Sequence, residues 1–342
     1  MKSAHDIVLI PGDGIGPEVT DAVVRILDQA NAPLQYHHAL AGLAALDAGQ
    51  DVMPDETLDL IRQHHVALKG PCTTPVGKGF SSVNVQLRKK LNLYAAIRPV
   101  RSLDGVPTRY QNVDMVIVRE NTEGLYSGIE NEITPGVVTT LKVATTTGTR
   151  RIADHAFGYV QHRKRSKLTV FHKANIMKIT DGLFLDSVEA IHKEKYPDVP
   201  YDTMIIDAGC MRLVQDPTRF DVLVMENFYG DVVSDLAAGL VGGLGVVPGS
   251  NIGDKDAVFE AVHGSAPDIA GQDLANPLAL LMSAVMMLNH LHETTDDPRC
   301  LTAAQRIKQG YNTALVDGQK TRDLGGDLGT QAFAQAVIER LG

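Results

Sequence analysis

The chain of 342 residues is 44% hydrophobic and 21% charged, a composition that excludes a disordered or fibrous protein and suits a globular one large enough for two domains. Its formal net charge of -9 argues against nucleic acid or an acidic membrane as the main partner, because neither polyanion is drawn to such an average field. Cys72, Cys210 and Cys300 show no CxxC spacing, which indicates neither a disulfide framework nor a thiolate zinc site and fits a reducing compartment.

In chain order, β-branched runs at 7–10, 66–68, 115–118, 168–171, 204–206 and 222–225 read as buried strands, with helical patterns between most of them. That alternation predicts an α/β fold with a mostly parallel sheet and any antiparallel strands at its edges. The first apolar run is too short for a secretory signal and the longest, 278–288, is too short for a membrane span, so a cytoplasmic protein is expected. Breaks between domains are sought near Arg98-Pro99 and in the glycine-rich stretch 239–249. Asn276 and Pro277 read as the cap and first residue of a buried helix over 278–291.

The segment Pro11-Gly12-Asp13-Gly14-Ile15-Gly16-Pro17-Glu18 follows the first strand and precedes a helix. The Rossmann dinucleotide fingerprint needs a glycine where Pro17 stands, so that fold is not expected. A tight structural turn and a close approach of backbone to a ligand both remain open.

Polar residues stand just beyond several strands: Arg119, His172 with Lys173, Asp207, and Asp231 after a short loop. In open α/β sheets ligands bind outside the carboxyl ends of strands, so these groups can converge on one cleft, although any one of them alone reads as a solvated loop charge. Asp231 and Asp235 are four apart at the start of a helical segment and share one face. Either a hard divalent ion such as Mg²⁺ or Mn²⁺ lies between them, or they occupy a helix start that favours acids. Arg88, Arg98 and Arg119 offer three guanidiniums for a substrate with several carboxylates. The stretch from Glu260 through His263, Gly264, Ala266, Asp268 and Ile269 to Asn276 is rich in small residues that allow backbone to approach a flat ligand. An acid there, Asp268, favours free ribose hydroxyls and therefore NAD over NADP.

These segments, in this order, resemble the isocitrate and isopropylmalate dehydrogenase family of β-decarboxylating dehydrogenases along essentially the whole chain. The family's metal motif is similar to Asn227-Phe228-Tyr229-Gly230-Asp231-Val232-Val233-Ser234-Asp235, and its cofactor loop to the stretch from His263 to Asn276. Asp268-Ile269 stands where NADP-linked isocitrate enzymes carry Lys-Tyr, and Ser82-Val83-Asn84 before Arg88 resembles the isocitrate members. The residues 323–327 lack the adenosine-phosphate-binding groups of NADP enzymes.

The resemblance implies the family's two-domain fold, with a large cofactor-binding domain from 1–98 and 249–342 and a small domain over 99–248. It implies a homodimer in which Lys173 and Asp207 enter the neighbour's cleft, Asp207, Asp231 and Asp235 hold Mg²⁺ or Mn²⁺, and Lys173 and Tyr126 move protons. Ser82, Asn84, Arg88, Arg98 and Arg119 are expected at the substrate. Ile15, Thr74, Asn84, Glu260, His263, Gly264, Ala266, Asp268, Ile269 and Asn276 are expected at NAD. The activity implied is NAD-dependent oxidation and decarboxylation of isocitrate to 2-oxoglutarate. Alternatives are a relative acting on homoisocitrate, 3-isopropylmalate, malate or tartrate, and a non-catalytic regulatory subunit; the latter is disfavoured because Tyr126, Lys173, Asp207, Asp231 and Asp235 are all retained.

Overall fold

The computed structural model describes residues 3–73 and 82–342. Its strands are β1 (His5–Ile10), β2 (Leu34–His38), β3 (Val66–Lys69), β4 (Ala95–Arg101), β5 (Asp114–Glu120), β6 (Glu130–Thr134), β7 (Val137–Thr140), β8 (Leu168–His172), β9 (Tyr201–Ile205), β10 (Val222–Met225), β11 (Pro248–Ile252) and β12 (Ala257–Ala261). The helices are α1 (Gly16–Gln29), α2 (Leu43–Asp47), α3 (Asp55–His64), α4 (Val83–Lys90), α5 (Thr146–His162), α6 (Thr180–Lys195), α7 (Ile206–Gln215), α8 (Asn227–Leu240), α9 (Leu278–Thr295), α10 (Pro298–Val316) and α11 (Thr330–Ile338).

Among the described residues, ten strands form one sheet in the order β2-β1-β3-β12-β11-β4-β5-β10-β8-β9, and β6 and β7 form a separate hairpin. The expected mostly parallel sheet is present, but its antiparallel pairs lie in the middle, at β12–β11, β11–β4 and β4–β5, while both edge strands pair parallel. The connections explain this correction. The stretches 102–113 and 253–256 hold no helix, and a direct return reverses the chain, whereas a helical crossover lets the next strand run parallel.

The predicted strands correspond to β1, β3, β5, β8, β9 and β10, with one shift: Ile206 opens α7 instead of ending β9. Every side chain of β3 and β10 is buried, as helix-covered strands require, whereas β9, expected as a buried strand, has only half-buried and exposed side chains because it is an edge strand of the sheet. Helix α9 is the core helix expected, with Leu278, Leu280, Leu281 and Leu288 fully buried. Each such leucine contributes roughly 1.5–3 kcal/mol relative to exposure. The cap is one residue off: Pro277 stands at the N-cap and Asn276 Oδ1 accepts from the Leu278 amide at 3.0 Å.

The opening turn is a structural joint. Gly12 and Gly14 have φ of +80° and +58°, and a Cβ on either would lie 2.1 Å from the carbonyl oxygen of Pro71 or Ser265. Between them the buried Asp13 carboxylate accepts from the amides of Leu43, Ala44 and Thr73 at 3.0, 2.8 and 2.6 Å. The Ile15 amide donates to Ser265 O at 2.8 Å, tying the turn to the loop after β12.

Candidate active site

Strand register brings two arginines together. In the β4–β5 pair, Ala96 lies opposite Arg119 and Arg98 opposite Ile117, so Arg98 and Arg119 share a face and are diagonal neighbours. Arg88, on the last turn of α4, joins them, and all three are buried. Burial lowers the Arg98 guanidinium to about 10, and the charges of Arg119 and Arg88 add to the fall. Arg119 is lowered for the same reasons, burial first and Arg88 next, against the pull of Asp231. Three buried guanidiniums gathered at one place make a site for an anion, and the Arg88 Nε has no hydrogen-bond partner among the described residues.

Part of this positive charge is already positioned. Asn227 Oδ1 accepts from Arg119 Nε at 2.9 Å and from Nη2 at 2.7 Å, fixing the plane of that guanidinium. Ser234 Oγ accepts from Arg98 Nη1 at 3.1 Å. Asn227 and Ser234 lie on α8, whose start is capped by the Glu226 carboxylate accepting from the Phe228 and Tyr229 amides.

The same helix presents Asp231 and Asp235 one turn apart. Asp231 is bonded by Arg119 Nη1 through one oxygen and by the Tyr126 hydroxyl through the other. Burial favours its neutral form, but Arg119 and Tyr126 outweigh burial and hold it below the usual carboxylate range. Burial raises Asp235 against the attraction of Arg98 at 3.5 Å, and the charge of Asp231 adds to the rise. Side-chain exposures of 37% and 58% leave both carboxylates open to the cleft. An oxygen-only pair beside open space suits a hard divalent ion, which takes carboxylates and keeps water or substrate in its remaining positions. Tyr126 lies in a single turn, Leu125–Ser127, with the Arg119 guanidinium 5.2 Å from its ring centroid. Burial and the Asp231 carboxylate raise its phenol above the usual value, so it stays a proton donor.

Lys173 and Asp207 pair with each other. Lys173 follows β8, Asp207 lies in the first turn of α7, and the Lys173 ammonium donates to Asp207 Oδ1 at 2.5 Å. Among the described residues, no group of three metal-capable side chains joins Asp207 to Asp231 and Asp235. The surface near the pair is apolar, with Ile176, Ile179 and Met211 exposed by 68%, 87% and 51%.

The loop after β12 places His263, Gly264, Ala266, Asp268 and Ile269 beside the opening turn. His263 Nδ1 lies 3.0 Å from Gly264 O, its buried Nε2 has no partner among the described residues, and burial lowers its pKa. Ala266 has a positive φ of 36°, and Asp268 is exposed. Asn84, in the first turn of α4 next to Ser82, has a buried Oδ1 with no partner among the described residues. These two unpaired acceptors fit a ligand that donates to them, as a carboxamide NH₂ or ribose hydroxyls do. Thr74 lies outside the described residues.

Two expected cofactor contacts have other duties. Glu260 is buried at 3% exposure and its carboxylate meets Lys69 at 2.8 Å, Asn251 at 2.7 Å and Arg88 at 3.4 Å, so it acts on the cleft through Arg88. Asn276 donates from Nδ2 to Asp323 at 2.9 Å while its Oδ1 holds the start of α9.

The protein-family model described as isocitrate/isopropylmalate dehydrogenase matches residues 6–339. The chain belongs to that family. Among curated relatives, isocitrate dehydrogenase (NAD) catalytic subunit 5, mitochondrial, of Arabidopsis thaliana is 47% identical over 97% of this chain and 87% of its own length. The human isocitrate dehydrogenase (NAD) subunit alpha, mitochondrial, is 45% identical over 98% of this chain and 90% of its own. The crystal structure of isocitrate dehydrogenase from Methylococcus capsulatus superposes with a TM-score of 0.92 at 48% identity, covering 98% of this chain and 99% of that one. The isocitrate/isopropylmalate dehydrogenase fold is thus the chain's own.

Within this family member, Lys69, Asn227, Ser234 and Asp323 support the cleft without having been singled out in the sequence. Asn227 and Ser234 sit inside the metal-like motif, whereas Lys69 and Asp323 become visible only through strand register and loop packing. A cavity of about 650 Å³ is lined by Ile97, Pro99, Tyr159 and Met286, on the other face of β4 from Arg98. Its volume therefore does not mark the arginine site.

Proposed function

We propose that this chain catalyses the NAD-dependent oxidative decarboxylation of isocitrate to 2-oxoglutarate and CO₂. The observation that carries the reading is the convergence of Arg88, Arg98 and Arg119 beside Asp231, Asp235 and Tyr126. Three guanidiniums match the three carboxylates of isocitrate, and relatives 45% to 47% identical over nearly the full chain are named as NAD isocitrate dehydrogenases.

In this reading Asp231 and Asp235, with Asp207 of a second copy, hold Mg²⁺ or Mn²⁺. When bound, the ion supplies a Lewis acid that acidifies the C2 hydroxyl and later withdraws electrons as CO₂ leaves, and NAD accepts the hydride from C2. The arginines bind and orient the carboxylates, with Ser82 at the distal one. Lys173 of the second copy would accept the hydroxyl proton, and Asn84 and Thr74 are the residues that would hold the nicotinamide. The C3–carboxylate bond then breaks in the β-keto acid, and Tyr126 supplies the proton that C3 takes up. His263, Gly264, Ala266, Ile269 and Ile15 line the adenosine side, where Asp268 excludes a 2′-phosphate. Asn276, although committed at both ends, shapes that wall, and Glu260 positions Arg88.

The exposed apolar surface around Lys173 and Asp207 supports a homodimer with shared sites, because its burial against a second copy would bring both groups to another cleft. The halves 1–98 with 249–342 and 99–248 are proposed as the two lobes that close over substrate. The test is a panel of isocitrate, homoisocitrate, 3-isopropylmalate, malate and tartrate with NAD or NADP, each with Mg²⁺, Mn²⁺ or EDTA. Isocitrate with NAD and metal should give the highest kcat/KM for the purified chain alone; a higher value for another acid overturns the substrate, and no turnover at all overturns the catalytic reading.

A further inference from the structure

The end of the sheet away from the arginine cleft holds a second group of chemistry-bearing side chains. Asp6 pairs with Gln35 and Val8 with His37 in the parallel β1–β2 register, so Asp6 and His37 point to the same face. Helix α3 packs on that face through Leu58 and Ile61, which share a core with Val8, and its last residue is His64. Asp6 Oδ1 lies 2.7 Å from His37 Nε2, and the His37 and His64 rings stack at 4.1 Å with only 13° between their planes. One potential ligand atom from each of Asp6, His37 and His64 lies within 4.8 Å of the other two.

We propose that Asp6, His37 and His64 form a binding site for a divalent first-row transition ion such as Zn²⁺, distinct from the carboxylate site in the cleft. The three ligand atoms are already within 4.8 Å of one another, and rotation of the two rings about their side-chain torsions would turn one nitrogen of each toward a shared ion. Asp6 supplies the anionic ligand, and its exposure leaves room for water to complete a tetrahedral shell. Two imidazoles and one carboxylate select Zn²⁺, Co²⁺ or Ni²⁺ over Mg²⁺ and Ca²⁺, which prefer all-oxygen sites. Because β2 is the outermost strand, the ion would clip that edge to β1 and α3. Its effect is therefore on stability, through binding to the folded chain alone, and not on turnover.

The experiment is a calorimetric titration of Zn²⁺ into the full-length chain in excess Mg²⁺, which occupies carboxylate-only positions, alongside a Co²⁺ absorption spectrum and Tm with and without Zn²⁺. The expected result is one Zn²⁺ per chain, a Co²⁺ d–d band and a raised Tm, with binding weakened by more than roughly tenfold in His37→Gln and in His64→Gln. His38→Gln changes an exposed ring on the opposite side of β2 and should bind as the unmodified chain does. If His64→Gln lowers Tm without metal, the exposed Asp6→Asn gives the same reading independently. Equal Zn²⁺ affinity in the unmodified chain and these ligand variants, or no saturable binding by the unmodified chain, overturns the proposal.

Discussion

Lys69 and Glu260 face each other across β3 and β12, paired in register and joined at 2.8 Å with both side chains buried. Burial alone would raise the Glu260 carboxyl, yet Lys69 and Arg88 pull it down to about 2. The contact matters beyond its own strength because the same carboxylate also holds Arg88 at the edge of the cleft.

Glu260→Gln should therefore destabilise the chain by about 3–5 kcal/mol, since it leaves the Lys69 charge buried without its partner. It should also raise KM for isocitrate. The pair's pH dependence follows from the depressed carboxyl: its stabilisation is complete above the unfolded value of 4.5 and is lost as pH falls toward about 2. Urea unfolding of the unmodified chain and Glu260→Gln between pH 6 and 2.5 measures this; an unchanged stability difference across the range would count against it.

Tyr126→Phe removes the hydroxyl that donates to Asp231 and, in the proposed mechanism, the proton for C3. NADH formation in a single turnover should fall less than release of 2-oxoglutarate. Equal slowing of both steps would show that the phenol serves only to orient Asp231.

Arg119→Lys keeps the charge and loses the fork that Asn227 holds. Charge-assisted hydrogen bonds are worth about 1.5–3 kcal/mol each, so kcat/KM for isocitrate should fall about 10- to 100-fold. The KM for NAD should move little, and steady-state kinetics in each substrate separates the two.

Asp207→Asn and Asp231→Asn should each abolish activity when expressed alone. Co-expressed, they should recover a measurable fraction, because a mixed dimer with shared sites has one cleft with both acids intact. Absence of recovery in isolated mixed dimers would place Asp207 outside the partner's site.

Much of the fold was legible in the sequence because helix-covered strands must be apolar on both faces, and 66–68 or 222–225 offer no other reading. The strands that were missed lack this signal. Pro248–Ile252 reads Pro-Gly-Ser-Asn-Ile, with too few β-branched residues to stand out, and the edge strand Leu34–His38 is half polar. That gap concealed the antiparallel middle of the sheet. In the site, Asp231 and Asp235 were legible from spacing and Arg98 with Arg119 from their places along strands. The Lys69–Glu260 pair was not, because 190 intervening residues separate partners that only register brings together. Asp6, His37 and His64 were hidden for the same reason.

The central strands β4 and β11 also bear on how the molecule comes apart. Hydrogen bonds run without interruption from β12 through β11 and β4 to β5, so the two proposed lobes would share a backbone ladder and not merely a side-chain contact. Neither lobe can melt without stripping the other of strand partners, and heating should produce a single calorimetric transition in place of two separable ones.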